Sequence, residues 1–188
     1  MFSLIIARHP QIIEKVFKRG EALETFACVN ATSTAAESDE FSPFIDNKEG
    51  QGKKIINTGS IDRYVSLWGI GHFQNKGATF VRPYLHTEKI DLSKHRRLIY
   101  DAPKIIIAKV SKRVEAFLDT GGEYASINTN CIYNPTRGVT LDYLLGLLSS
   151  RLMSFVYDEC FGALKMSGGI SAISGAANPD FAYYFGQQ

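Results

Sequence analysis

Residues 103–113 read PKIIIAKVSKR, residues 117–133 read FLDTGGEYASINTNCIY and residues 141–152 read LDYLLGLLSSRL. The near-continuous apolar run Lys104 to Val110 predicts a strand buried on both faces. Val114 to Leu118 and Glu123 to Ile127 predict the next two strands, joined by the DTGG segment as the tight turn of a hairpin, and Asn130 to Tyr133 a fourth. Asn134 to Gly138 (NPTRG) is a turn. Thr140 then suits a helix N-cap, with Asp142 near the positive helix end. Leu141, Leu144, Leu145, Leu148, Leu152, Phe155 and Val156 follow helical spacing and form one wide apolar stripe. The predicted class is α+β: a twisted, mostly antiparallel sheet with a long amphipathic C-terminal helix packed on it.

The pattern weakens toward the N-terminus. In PQIIEKVFKRG (residues 10–20), Ile12, Ile13, Val16 and Phe17 share a helical face, Pro10 suits a helix start and Gly20 a helix stop. Leu23 to Val29 reads as a strand, and the Ala, Ser, Thr and acid-rich stretch Asn30 to Ser42 as a surface loop. Lys53 to Ile56 is a short basic strand leading into the turn Asn57-Thr58-Gly59-Ser60. Ile61 to Trp68 fits either a strand or a helical turn, and Gly69 to Leu98 reads as loops with one short helix. Gly168 to Asn178 is Gly, Ala and Ser rich and reads as irregular. The expected organisation is an N-terminal helical segment over residues 1–20, the edge of a larger parent protein, and one domain over residues 21–188.

The 188 residues are 45% hydrophobic and 21% charged, enough for a single buried core. Cys28, Cys131 and Cys160 are scattered, which points away from a disulfide framework or zinc site and toward small core hydrophobes in a reducing, cytoplasmic setting. No apolar run approaches the length of a membrane span. The net charge of +2 hides a segregation: −3 over residues 1–52, +9 over residues 53–113 and −4 over residues 114–188. A basic block between acidic flanks is the pattern a phosphate-facing surface produces, or equally a solvated face with its charges spread around the fold.

Several enzyme signatures are missing. There is no GxGxxG or GxxxxGK[ST] loop, no HExxH and no GxSxG elbow, and His9, His72, His86 and His95 stand singly. Asn134-Pro135 carries half of the Asn-Pro-Pro-Tyr type loop that holds a flipped adenine, but Thr136 stands where the second Pro belongs, so it reads as a turn. No catalytic set and no metal set converges. The Gly121-Gly122 pair admits backbone approach to a phosphate, and reads first as a tight turn. Trp68 and Tyr64 have the chemistry to stack on bases, and read first as buried aromatic anchors. The better candidates are basic and polar residues on predicted strand ends and turns: Lys53, Lys54, Thr58, Ser60, Arg63, Tyr64, Lys109, Ser111, Lys112 and Arg113. Lys and Arg neutralise phosphates or read guanine edges, and Ser and Thr hydroxyls bond either phosphates or bases.

The order of these pieces resembles the TaqI-like C-terminal specificity domain, the target-recognition module of adenine-specific DNA methyltransferases and of restriction enzymes fused to them. The resemblance runs from about Glu21 to Gly169 through ALETFACVN, KKIINTGSIDRYVSLWG, PKIIIAKV, DTGGEY and LLSSRL, with Ser149 where the family usually has Asn. NPDFAYYFGQQ matches the family's Pro-rich closing segment poorly. The resemblance implies a double-stranded DNA partner, and a separate catalytic domain of the same parent chain that binds S-adenosylmethionine and methylates adenine; whether that parent also cleaves DNA stays open. Two other readings stand beside it: the specificity subunit of a multi-subunit restriction system, and a non-catalytic protein-interaction module whose long helix docks a partner.

Overall fold

The computed structural model describes residues 8–50, 52–111, 113–161, 171–172 and 184–186. Helix α1 (Pro10–Arg19) leads into β1 (Gly20–Ala22), a 3-10 turn at Leu23–Thr25 and β2 (Cys28–Ala31). Helix α2 (Ala35–Phe41) follows, then β3 (Ile45–Asp46), β4 (Lys53–Asn57) and two small hairpins, β5 (Ile61–Asp62) with β6 (Val65–Ser66) and β7 (Phe73–Asn75) with β8 (Ala78–Phe80). Next come β9 (Tyr84–Leu85), α3 (Lys94–Asp101), β10 (Lys104–Ala108), β11 (Val110–Ser111), β12 (Ala116–Asp119), β13 (Tyr124–Ile127) and β14 (Thr129–Tyr133). Helices α4 (Leu141–Leu148) and α5 (Arg151–Phe161) follow, and the short strands β15 (Ser171–Ala172) and β16 (Tyr184–Gly186) pair with β11 and β1.

Two four-stranded sheets carry the fold. The first is antiparallel, in the order β12-β10-β14-β2, and the second has the order β13-β4-β9-β3. Every residue of β10 and β14 is buried, as the apolar run predicts for the former. The faces divide by the strand period of two. Ile105, Ile107 and Ile132 pack against Leu141, Leu144, Leu145 and Leu148 of α4. Cys131 and Tyr133 meet Ile55, Leu85 and Ala125 of the second sheet together with Ile99 and Tyr100 of α3, while Ile106 and Ala108 meet Ile56 and Phe117. The first sheet is thus a middle layer, with α4 on one face and the second sheet on the other.

Three expectations are corrected here. The Leu stripe does not form one long helix. Helix α4 stops at Leu148, Ser149 caps its end, and the Ser150 hydroxyl accepts the Met153 N–H at 3.1 Å, so the second serine starts α5. The DTGG turn does not close a hairpin, because β12 and β13 lie in different sheets and β13 runs parallel to β4. One residue later the chain steps back into the first sheet at Asn128, whose φ of 57° suits asparagine. Last, the loop assigned to residues 30–42 contains α2, opened by a capping box in which the Thr34 hydroxyl accepts the Glu37 N–H and the Glu37 carboxylate accepts the Thr34 N–H.

The end of β10 and β12 is pinned by a buried ion pair. Lys104 and Asp119 sit directly opposite in register, with Nζ 2.6 Å from Oδ2 and both side chains sealed from solvent. Lys104 also donates to the Tyr100 and Ala102 carbonyls. The Asp119 carboxylate accepts the N–H groups of Glu123 and Tyr124, which shapes the turn. Burial pushes the Lys104 ammonium below its ordinary pKa, and Asp119 opposes that shift. Gly122 completes the arrangement: its φ is 63°, and a Cβ there would lie 2.2 Å from the Asp101 carbonyl oxygen.

Candidate nucleic-acid interface

The sequence places thirteen Lys or Arg against four Asp or Glu between residues 53 and 113. The fold redistributes that charge. Lys53 pairs with Asp101, Lys54 with Glu123, Lys76 with Asp39, Arg96 with Glu37, Lys104 with Asp119 and Arg113 with Asp62. Four of those six acids come from the acidic flanks, so much of the segregation seen along the chain is cancelled in space. Arg63, Arg82, Lys89, Lys94, Arg97 and Lys109 have no acidic partner among the described residues.

The candidate residues separate into two ends of the molecule. Lys53 and Lys54 open β4. The Lys53 ammonium donates to the Gly122 carbonyl and to Asp101, and Lys54 bonds Glu123 at 2.6 Å while lying 5.5 Å from the Trp68 ring centre and 5.4 Å from that of Tyr124. The Glu123 contact raises the Lys54 pKa. The other candidates gather beyond the opposite end of β4, about 13 Å along the strand. The Thr58 hydroxyl donates to the Asn128 carbonyl and accepts the Lys109 N–H. Ser60 is buried against Asn57. The β5–β6 hairpin lies beside β12, and the Tyr64 N–H donates to the Ala116 carbonyl at 2.7 Å. Arg113 reaches Asp62 of that hairpin, and the Ser111 hydroxyl donates to the Arg113 carbonyl. Lys112 lies outside the described residues, as do residues 168–170 and 173–178 of the stretch read as irregular.

Two features of this end stand out. Lys109 is half-buried, and loss of water, followed by the repulsion of Arg96, lowers its pKa. The second feature is the hairpin tip. Arg63 and Tyr64 are its two turn residues, between the pairs Asp62↔Val65 and Ile61↔Ser66. Tyr64 has φ 69°, a conformation that type II turns normally give to Gly or Asn and that costs about 1 kcal/mol or more elsewhere. The residue is 54% exposed, against the expectation of a buried anchor. Trp68 is partly buried against the Ile56 and Phe117 cluster, its indole N–H donates to the Pro83 carbonyl and its ring meets Tyr84 edge-on.

Sequence reasoning passed over Asp62 and Asn128. Asp62 accepts the Arg63 N–H and the Arg113 guanidinium, and these, the backbone bond first, hold its carboxyl below the usual range. Asn128 presents the carbonyl that Thr58 binds. The only local signal was an Asn between two apolar strands. The half-match Asn134-Pro135 is an exposed turn with Asn134 at φ 50°, and the Thr136 hydroxyl after it bonds the Phe26 carbonyl; these residues do not form an adenine-holding loop. Among the described residues, no helix is long and apolar enough to cross a membrane.

Thr58, Arg63, Tyr64, Lys109 and Arg113 thus lie together at one end of a layered scaffold. The sequence matches the family model of the TaqI-like C-terminal specificity domain over residues 53–167, more than half the chain, and the chain belongs to that family. The match opens at Lys53, so the ALETFACVN segment stands outside it. No curated protein matches the chain.

Proposed function

We propose that this chain reads the sequence of duplex DNA for an adenine-specific methyltransferase of a restriction-modification system, whose catalytic domain faces the Thr58–Arg113 end across the DNA. The observation that carries the reading is the convergence of the 58–60 turn, the β5–β6 hairpin and the β10–β12 connection at one end, where Arg63 and Lys109 lack acidic partners among the described residues. Phosphates meet Lys109 and Lys112, while Arg113, engaged by Asp62, anchors the hairpin. Bases are read from the Thr58–Tyr64 segment, while the buried Ser60 and Ser111, whose hydroxyls bond Asn57 and the Arg113 carbonyl, shape the turns. Lys53 and Lys54, already engaged by Asp101 and Glu123, are assigned to the scaffold. S-adenosylmethionine belongs to the partner domain in this reading, and that domain supplies the methyl-transfer chemistry; this chain orients the duplex.

The test is selection from a random duplex pool at two salt concentrations. Retention that falls steeply with salt and enriches one short motif is the expected result. Retention that is insensitive to salt, or that enriches nothing, removes the reading.

A further inference from the structure

Tyr64 is a costly residue in the free protein. Of the five non-glycine residues with positive φ among the described residues, it is the one aromatic, and it stays 54% exposed. Among the described residues, no buried cluster includes this ring, although glycine would fill the turn position without strain. The scaffold nevertheless holds the tip firmly, through the Tyr64 N–H bond to Ala116 and the Arg113–Asp62 contact at its base. The Arg63 guanidinium carbon lies 5.5 Å from the Tyr64 ring centre, and the Arg63 Nε is buried without a hydrogen-bond partner among the described residues. A two-stranded ribbon is an element that the major groove admits.

We infer that Arg63 and Tyr64 form a two-residue reading head that enters the major groove, with the Tyr64 ring in direct contact with a base or a thymine methyl and Arg63 bonding the adjoining base pair. Tyr64 is in this sense a specificity-determining residue, and its strained backbone is retained for the position it gives the ring. The inference rests on the DNA-reading function above. The competing occupant of an exposed ring, an apolar patch on the catalytic domain, is an outcome of the same experiment.

The experiment compares the full 188-residue chain with Y64G and Y64F. The measurements are binding to the enriched duplex and to random duplex across a salt series, and urea unfolding. Y64G is expected to unfold at the same or higher urea concentration, because it relieves the positive φ. It should bind the enriched duplex about 5- to 150-fold more weakly, with random-duplex affinity and salt slope unchanged and selectivity relaxed at one position. Y64F should keep the wild-type preference. Y64G binding that matches wild type on the enriched duplex overturns the inference, leaves the DNA-reading function standing and assigns the ring to a protein partner. Equal weakening on every duplex overturns it too, since that is a positioning effect. A wild-type chain without salt-sensitive binding removes the underlying function instead.

Discussion

At the scale of single residues, the least exposed charges in the molecule belong to the family motif. The Pro-Lys-Ile strand and the Asp-x-x-Gly-x-Tyr turn invite assignment to DNA contact, yet Lys104 and Asp119 are sealed against each other and against backbone carbonyls and amides. Their role is to hold β10 to β12 and to fix the turn into the second sheet. Removing one partner leaves the other charge buried, so K104M should lose about 3–5 kcal/mol in urea unfolding. The double variant K104M/D119N should recover part of that loss, and a double variant as unstable as the sum of its singles would deny the coupling. The Ser149 hydroxyl shows the converse. It is fully buried with no hydrogen-bond partner among the described residues, so S149A should be neutral or stabilising by up to about 1 kcal/mol. The burial of Lys104 was not legible from its own surroundings. A Lys at the start of an apolar strand reads as the last solvated position, and only the register placing it opposite Asp119 reveals the pair.

At the scale of elements, legibility follows the strength of local signals. The β10 strand, the Thr140 cap and α1 declare themselves through apolar periodicity and caps that act within four residues. The β7–β8 hairpin did not: the stretch Gly69 to Leu98 reads as loops with one short helix, yet it holds this paired ribbon. Lys76 and Gly77 have φ of 46° and 80° at its tip, and Asn-Lys-Gly between Phe-Gln and Ala-Thr-Phe was the available cue. The division of β12 and β13 between two sheets was not legible, because a strand's partner is decided by long-range packing and not by the turn beside it. Helix α2 is small and mostly exposed, and it depends on contacts made elsewhere. Arg96 of α3 grips its Glu37 with two nitrogens, at 2.7 and 3.0 Å, and donates to the Ala31 carbonyl of β2. Burial alone would raise the Glu37 pKa, but Arg96 and the Thr34 N–H outweigh it and the net shift is downward. A carboxylate whose folded pKa lies below its unfolded value stabilises the fold above that unfolded value. The contribution is lost as pH falls through the lower, folded one. Thermal unfolding followed from neutral pH down to about pH 3 should therefore show an acid-induced loss that E37Q blunts. An identical pH profile for E37Q would assign that loss to other carboxylates.

At the scale of the whole molecule, the +9 charge of residues 53–113 overstates the positive surface, because Glu37, Asp39, Asp119 and Glu123 return to neutralise four of its cations. What remains is selective. The paired cations Lys53 and Lys54 flank the turn that Asp119 organises, whereas Lys109 stands half-buried, with no counter-charge among the described residues, at the end where the loops converge. That contrast separates two kinds of lysine by experiment. Substituting a paired lysine removes a scaffold contact, so K54M should lower stability by about 1 kcal/mol or less and leave the salt dependence of DNA binding as it was. Substituting Lys109 removes a charge that the free fold desolvates without return. K109M should therefore keep or gain stability in urea, while weakening binding to all duplexes alike and reducing the slope of log K against log salt by about one. The two effects have opposite signs on fold and on function. A K109M protein that is less stable and binds with an unchanged slope would mark Lys109 as one more scaffold residue, and would move the phosphate-facing surface away from the Thr58–Arg113 end.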